Sequence, residues 1–399
     1  MEVFDGIKIL DVTRLLPGGY ATQYFAELGA EVIKVEDMGA GDYLRELGPS
    51  FSDDSTMSSY YFATNYNKKS ICLDLKTEEG LTIFKQMAKS ADIVIEGFRP
   101  GTTARLGIDY GSLKEINPAL IYCSISAFGQ NGPRSQDPGH DINILSLTGF
   151  LDVNGVVKDS KPAIPGTQFA DIGSGISSIL SIVTALYQRN VTGSGQYLDI
   201  SMYDVMGTWM LNPYLDYLAT SRVSHKGAEL LSGGVLCYHI YETSDHRHLA
   251  FGAIEEKFWE SICNALGLPE LKDEAFTVTR EDNIHYIKLK EAIASKPFDE
   301  WVPFFKRLNC CVTPVLTTEE VMKDAHFNAR QIVEKIPLRQ NHFPKIRGPL
   351  PFSETQIEER NWSYPPKQGQ QTVEILLENG YTEQQINEFL IKGIVRNSN

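Results

Sequence analysis

The chain has 399 residues, 42% hydrophobic and 22% charged, with 37 basic against 51 acidic side chains and a formal net charge of −14. That length allows two or three domains with ordinary packed cores, and the acidic balance argues against nucleic acid as a general partner while leaving room for a local cationic site for a small anion. No apolar run of about 18 residues stands out as a bilayer span, the opening MEVFDGIKIL lacks the basic and apolar regions of a signal peptide, and none of the six cysteines forms a CxxC pair, so a reduced, cytoplasmic protein with no metal site and no membrane partner is expected.

In chain order, IKILDV (7–12) reads as a buried strand, TRLLPGG as a turn, YATQYFAELG (20–29) as a helix ending in glycine, and AEVIKVE (30–36) as a second strand. Strand, helix and strand within about 30 residues make a βαβ unit and imply a parallel sheet. SICLDL, DIVIEGF and LIYCSIS continue the strands, and Thr77 opens the helical TEEGLTIFKQMAKSA with glutamates in its first turn. GSGISSILSIVTALYQRN (173–190) is a long helix opened by small residues, followed by the strand YLDISM. From about residue 225 the texture changes. YHIYETSDHRHLAFGA reads as a hairpin turning near Asp245, and the amphipathic EKFWESICNALGL and FDEWVPFFKRL follow, which indicates a smaller α+β domain. The tail after 330 is rich in proline and reads as an extended return segment ending in the helix TEQQINEFLIKG.

Glu36 ends the second strand where a ribose partner sits in dinucleotide-binding folds, but RLLPGG is not a GxGxxG turn, so NAD binding is not expected. Lys68, Lys69, Lys76, Arg99 and Arg105 gather at or near strand ends. In open α/β sheets ligands bind outside the carboxyl ends of the strands, and cations there hold phosphates through charge-assisted hydrogen bonds. His140 and Asp141 stand side by side at the mouth of an apolar run, Asp171 lies in TQFADIGSG at a helix start, and Glu255 lies in GAIEEKFW at a strand-to-helix junction. Each is also what a helix cap looks like. Gly173, Ser174 and Gly175 after Asp171 leave room for a ligand to reach backbone N–H groups that would stabilise an oxyanion.

Taken together, the blocks GIKILDVTRLLPGGYATQYFAELGAEVIKVE, NKKSICLDLK, IEGFRPGTTARLG, SAFGQNGPRSQDPGHDIN, FADIGSG, TGSGQYLDISMYD, GAIEEKFW and CCVTPVL resemble, in order and over nearly the whole chain, the family III CoA-transferase superfamily. The resemblance implies an α/β fold: a Rossmann-like large CoA-binding domain (1–205) completed by a C-terminal return segment (335–399), a small α+β domain (225–330), and two chains interlocked as a homodimer. It also implies an acyl-CoA substrate, with coenzyme A entering as part of the substrate and no tightly bound cofactor.

Two chemistries run in that superfamily. Transferases use the aspartate matching Asp171 as a nucleophile on the thioester. Racemases use a histidine and that aspartate as bases on opposite faces of the α-carbon. GHDIN at 139–143 and GAIE at 252–255 match the racemase branch, so a 2-methylacyl-CoA racemase with His140, Asp171 and Glu255 as catalytic residues is expected, with transferase chemistry as the alternative. Ile144, where the racemase motif has tyrosine, and ADIGSG, closer to the transferase form, point the other way. The CoA-contacting positions carried over are Leu73, Asp74, Leu75, Lys76, Gly97, Phe98, Arg99 and Arg105, with Gly139, Asp141 and Asn143 of the GHDIN block. Where racemases have an arginine after the second strand this chain has Asp37, so that phosphate contact is expected to be either absent or supplied by Lys68 or Lys69. An inactive CoA-binding protein and a dehydrogenase are the readings outside this class.

Overall fold

The structure, a computed structural model, describes residues 2–50, 57–156, 160–338, 341–348 and 362–398. Six strands come from the runs read above: β1 (Lys8–Val12), β2 (Glu31–Glu36), β3 (Lys69–Leu73), β4 (Ile93–Glu96), β5 (Ile121–Ser126) and β6 (Tyr197–Ser201). All pair in parallel. Parallel strands carry helices on both faces and are therefore continuously apolar rather than alternating; β4 and β5 are buried at every position. The Glu78–Ala88 helix covers one face, Thr77 accepting from the Gly80 N–H as its cap, and Ile83, Phe84 and Met87 pack on Leu10, Ile33, Ile71 and Val94.

Two helices begin four residues earlier than the sequence pattern indicates. Leu16–Glu27 takes Pro17 into its first turn, where the missing N–H costs nothing. Phe169–Thr192 includes Asp171 in its first turn rather than before it. This second helix is also long and apolar enough, at a mean hydropathy of 1.6, to meet the criterion for a membrane span, which corrects the expectation that no such stretch exists. Half of that apolar window is buried within the protein. Gly175 brings the helix against Leu16–Glu27: a Cβ there would lie 2.9 Å from Tyr20 and 3.0 Å from the Pro17 carbonyl.

The chain divides into two units. The first is Met1–Leu145, Thr167–Trp209 and Gln331–Asn399. Its sheet gains an antiparallel edge strand from the C-terminal tail, β12 (Val395–Arg396), giving the order β12-β3-β2-β1-β4-β5-β6. The tail before it holds an antiparallel hairpin, β10 (Val333–Leu338) and β11 (Asn341–Ile346), where the prolines indicated extended chain. In a two-stranded ribbon both strands are edges, so Pro337 and Pro344 need no ladder N–H on their outer side. Residues 349–361 of the tail lie outside the described residues.

The second unit is Ser146–Gly166 and Met210–Arg330. The predicted hairpin forms β7 (Tyr238–Glu242) and β8 (His248–Gly252), joined by β9 (Val312–Pro314) in a three-stranded antiparallel sheet. Trp259 and Trp301, from the two amphipathic helices, pack with Tyr241, Phe251 and Phe305. Each indole N–H finds a carbonyl, that of Leu271 at 2.7 Å and of Ile293 at 2.8 Å, so neither ring buries an unpaired donor.

Candidate active site

From β1 the chain winds to β2 and β3 on one side, then crosses to β4, β5 and β6 on the other. The strand order therefore reverses between β1 and β4, and the loops leaving their carboxyl ends part to make a crevice. Two cavities open there, both within the first unit. One, of about 280 Å³, is lined by the loops after β1, β4 and β5 and includes Arg14, Leu15, Gly97, Arg99, Gly139, His140 and Asp171. The other, of about 560 Å³, lies at the ends of β1, β2 and β3 and includes Asp37, Leu73, Asp74, Leu75, Lys76 and Arg105. Arg14 and Phe98 line both.

The turn after β1 is gripped from below. Lys34, in the middle of β2, forms an ion pair with Asp42 at 2.8 Å, both side chains fully buried. The Lys34 ammonium donates to the Thr13 carbonyl at 3.1 Å, and Asp42 Oδ1 accepts from the Leu15 N–H at 3.1 Å. Between these two anchors Leu15 sits at φ 64° and ψ −161°, a region that costs a residue with a side chain about 1–3 kcal/mol. Gly18 follows because a Cβ there would run into the Thr13 side chain at 2.3 Å.

The turn after β4 is fixed by Glu96. Its carboxylate accepts from the Phe98 N–H at 2.7 Å and from the Ser124 hydroxyl, and Ser124 in turn accepts from Gln130 at 2.8 Å. Burial, with Asp199 adding to it, pushes the Glu96 carboxyl up to about 7 against the pull of those hydrogen bonds.

The GHDIN block divides its work. His140 is exposed and lines the smaller cavity, while its backbone N–H donates to Asn143 Oδ1 at 3.1 Å. Asp141 turns away from both cavities. Its Oδ1 accepts from the Ala170 and Asp171 N–H groups at 2.6 and 3.2 Å, serving as an anionic cap to the Phe169–Thr192 helix, whose preceding residue Gln168 supplies no side-chain cap. Asp171 is thereby aimed into the cavity with a carboxylate behind it. Burial first, and Asp141 second, push its carboxyl up to about 6.

Of the predicted residues, His140, Asp171, Gly97, Phe98, Arg99 and Gly139 thus meet at one cavity, and Leu73, Asp74, Leu75, Lys76, Phe98 and Arg105 at its neighbour. Asp141 and Asn143 line neither and are occupied by the backbone contacts above. Glu255 belongs to the second unit, exposed at the start of the Glu256–Leu266 helix with its carboxylate not used as the cap.

Two expectations fail. Gly173, Ser174 and Gly175 are buried and leave no room for a ligand: a Cβ on Gly173 would lie 3.0 Å from the Trp209 ring, and Gly175 faces Tyr20 and Pro17. Lys68 and Lys69 do not serve a phosphate, because they stand at the amino-terminal end of β3, away from the crevice. Lys68 is fully buried on Asp11, the Gly19 carbonyl and the Thr22 hydroxyl, and its burial brings the ammonium down to about 8. Lys69 is shared by Glu31, Glu374 and Glu378.

Sequence reasoning passed over Arg14, Leu15, Lys34, Asp42 and Glu96. A lysine set between Ile33 and Val35, inside the apolar stretch of the strand, was a signal for the buried pair; nothing in a leucine announces a positive φ. Among the described residues no group of three His, Cys, Asp or Glu side chains is placed to hold a metal ion.

The site can be set beside known proteins. A family model for CoA-transferase family III matches residues 4–372. The chain is 32% identical over 387 residues to a succinate–glutarate CoA-transferase of Agrobacterium fabrum, covering 94% of each chain. It is equally 32% identical over 388 residues to the human alpha-methylacyl-CoA racemase, covering 96% of this chain and 94% of that one. A CAIB/BAIF family protein from Brucella suis superposes with a TM-score of 0.80 at 31% identity, over 95% of this chain and 99% of that one. With the crevice, its two cavities and a family match over most of its length, the chain belongs to CoA-transferase family III.

Proposed function

We propose that this enzyme racemizes a 2-methylacyl-CoA by moving the α-proton between two bases, His140 and Asp171. The observation that carries the reading is their presence on one cavity. In two-base exchange each group must take the α-proton in one direction and return a proton in the other. A carboxyl at its ordinary value of 3.8 is a weak base for that task near neutrality. Burial and the neighbouring Asp141 bring Asp171 to about 6, where it can both take and give a proton near neutrality.

In the proposed cycle one base takes the α-proton, the electron pair of the broken C–H bond moves to the thioester oxygen as an enolate, and the other base returns a proton to the opposite face. Lys76, Arg99 and Arg105, exposed and without an acidic partner among the described residues, are the cations for the coenzyme A portion. By resemblance Glu255 belongs to the same site in an interlocked homodimer, orienting His140. The exposed stripe Ile176, Leu180, Val183, Tyr187 and Val191 along one helix supports a dimer, since a face of that kind seeks cover.

A second reading keeps its place because the relatives include CoA-transferases as similar as the racemases. In it Asp171 attacks the thioester carbonyl and expels CoA as thiolate, leaving a mixed anhydride. The thiolate then attacks the Asp171 carbonyl, releasing the acyl group as a carboxylate and leaving an enzyme–CoA thioester that passes CoA to the acceptor acid, while His140 only lines the pocket.

The deciding experiment is to incubate the protein with a 2-methylacyl-CoA in D₂O and follow deuterium at the α-carbon by NMR. Wash-in without any acceptor acid, lost in His140→Ala and reduced at least about 10²-fold in Asp171→Asn, is expected. No α-exchange in the wild type, together with CoA transfer to a free carboxylate that survives His140→Ala, would establish the transferase instead.

A further inference from the structure

Among the described residues Arg14 is the one cation that lines both cavities. Its backbone position is fixed on either side. The carbonyl of Thr13 is held by Lys34, the N–H of Leu15 by Asp42, and the Leu15 conformation leaves the turn little freedom. Its guanidinium, about a third exposed, forms an ion pair with Asp37, donates to the Tyr43 hydroxyl at 3.4 Å and lies 5.5 Å from the centre of that ring. Asp37 is anchored on the other side by the N–H groups of Gly39 and Gly41, at 2.9 and 3.1 Å, so it cannot follow Arg14 far. The second carboxylate on this side, Glu36, is already taken up by Arg45 and Ser70.

We infer that Arg14 is a binding residue for the diphosphate of the acyl-CoA, exchanging its Asp37 partner for phosphate oxygens as the ligand comes to span both cavities. The inference rests on the acyl-CoA reading and deepens it. The chemistry of the exchange is one-sided. A partly exposed carboxylate pair is weak because water and salt compete for both groups. A guanidinium on a diphosphate makes paired, charge-assisted hydrogen bonds to a group carrying more charge. Asp37 thus holds the side chain in a defined place between the cavities and lowers the affinity somewhat by competing for it.

The test uses the full-length protein and two probes: coenzyme A, and a pantetheine thioester that keeps the acyl end but lacks the phosphates. Arg14→Ala is expected to raise the Kd for coenzyme A about 10- to 100-fold, the usual loss of a charge-assisted contact. It should leave the KM for the pantetheine thioester within about twofold, and Arg14→Lys should recover part of the coenzyme A affinity. Asp37→Asn should tighten coenzyme A by up to about fivefold by freeing the guanidinium. Melting temperatures of the variants show whether each has kept its fold. Equal losses on both probes, or no loss on either in a folded Arg14→Ala, would overturn the assignment, as would weaker coenzyme A binding in Asp37→Asn. A wild type that binds no coenzyme A at all refutes the acyl-CoA reading itself.

Discussion

Replacing Asp141 by asparagine should move the acid side of the pH–rate profile in a direction that a simple loss of a cap would not produce. The asparagine side chain keeps an oxygen for the Ala170 and Asp171 N–H groups but removes the negative charge behind the Asp171 carboxylate. That charge is the smaller of two causes that lift Asp171 from 3.8 to about 6, burial being the larger. Its removal should therefore lower the carboxyl by up to about one pH unit and leave the burial contribution in place. Near pH 5 a carboxyl titrating at about 6 is roughly one-tenth ionised, and one titrating at about 5 is half ionised, so the variant should turn over up to about fivefold faster there. Near pH 8 the two should agree. The profile would be read as α-deuterium wash-in from the enantiomer whose α-proton Asp171 takes or, under transferase chemistry, as CoA transfer, because in both of these Asp171 must start ionised. An acid limb that stays put, or moves to higher pH, in a variant of normal melting temperature would refute this account of what raises Asp171.

The buried clamp beneath Leu15 makes a stability prediction. Asp42→Ala takes the directly paired carboxylate from the buried Lys34, leaving Asp11 and Glu36 as its compensating charges, and leaves two backbone N–H groups without an acceptor, and should cost about 3 kcal/mol in urea denaturation near pH 7. Burial alone would raise the Asp42 carboxyl, but the Lys34 ammonium and the Leu44 and Leu15 N–H groups together outweigh it and hold the group below the usual carboxylate range. Its stabilisation is therefore complete above the unfolded value of about 3.9 and lost as pH falls through the folded one, so the gap between wild type and variant should narrow as the pH is lowered below about 3.9; a gap that widens in acid would argue against the ion pair as its source. For the proposed dimer, light scattering at micromolar concentration should report twice the 44.6 kDa chain mass, and Leu180→Glu on the exposed helix face should lower it. A folded, active monomer would count against the dimer.

What the sequence determined by itself is whatever local periodicity and short motifs encode. Apolar runs such as IVIE and IYCSIS are strands because only a doubly covered parallel sheet buries every position. The order strand–helix–strand put the carboxyl ends of those strands on one edge, and so His140, Asp171 and the LDLK and GFR positions near a common crevice. Tertiary structure decided the rest, because it depends on which side of an element a group faces and on partners distant in the chain. Lys68 and Lys69 read as phosphate ligands but sit at the wrong end of β3, paired with Asp11 and with Glu31, Glu374 and Glu378. Gly173 and Gly175 read as an opening for a ligand but are filled by Trp209 and Tyr20. Arg14, set in what read as a plain turn, became the cation between two cavities because Lys34 and Asp42, both far along the chain from it, hold the turn around Leu15. A charge in a sequence has a sign but no direction; burial, and the partner that burial makes necessary, supply it.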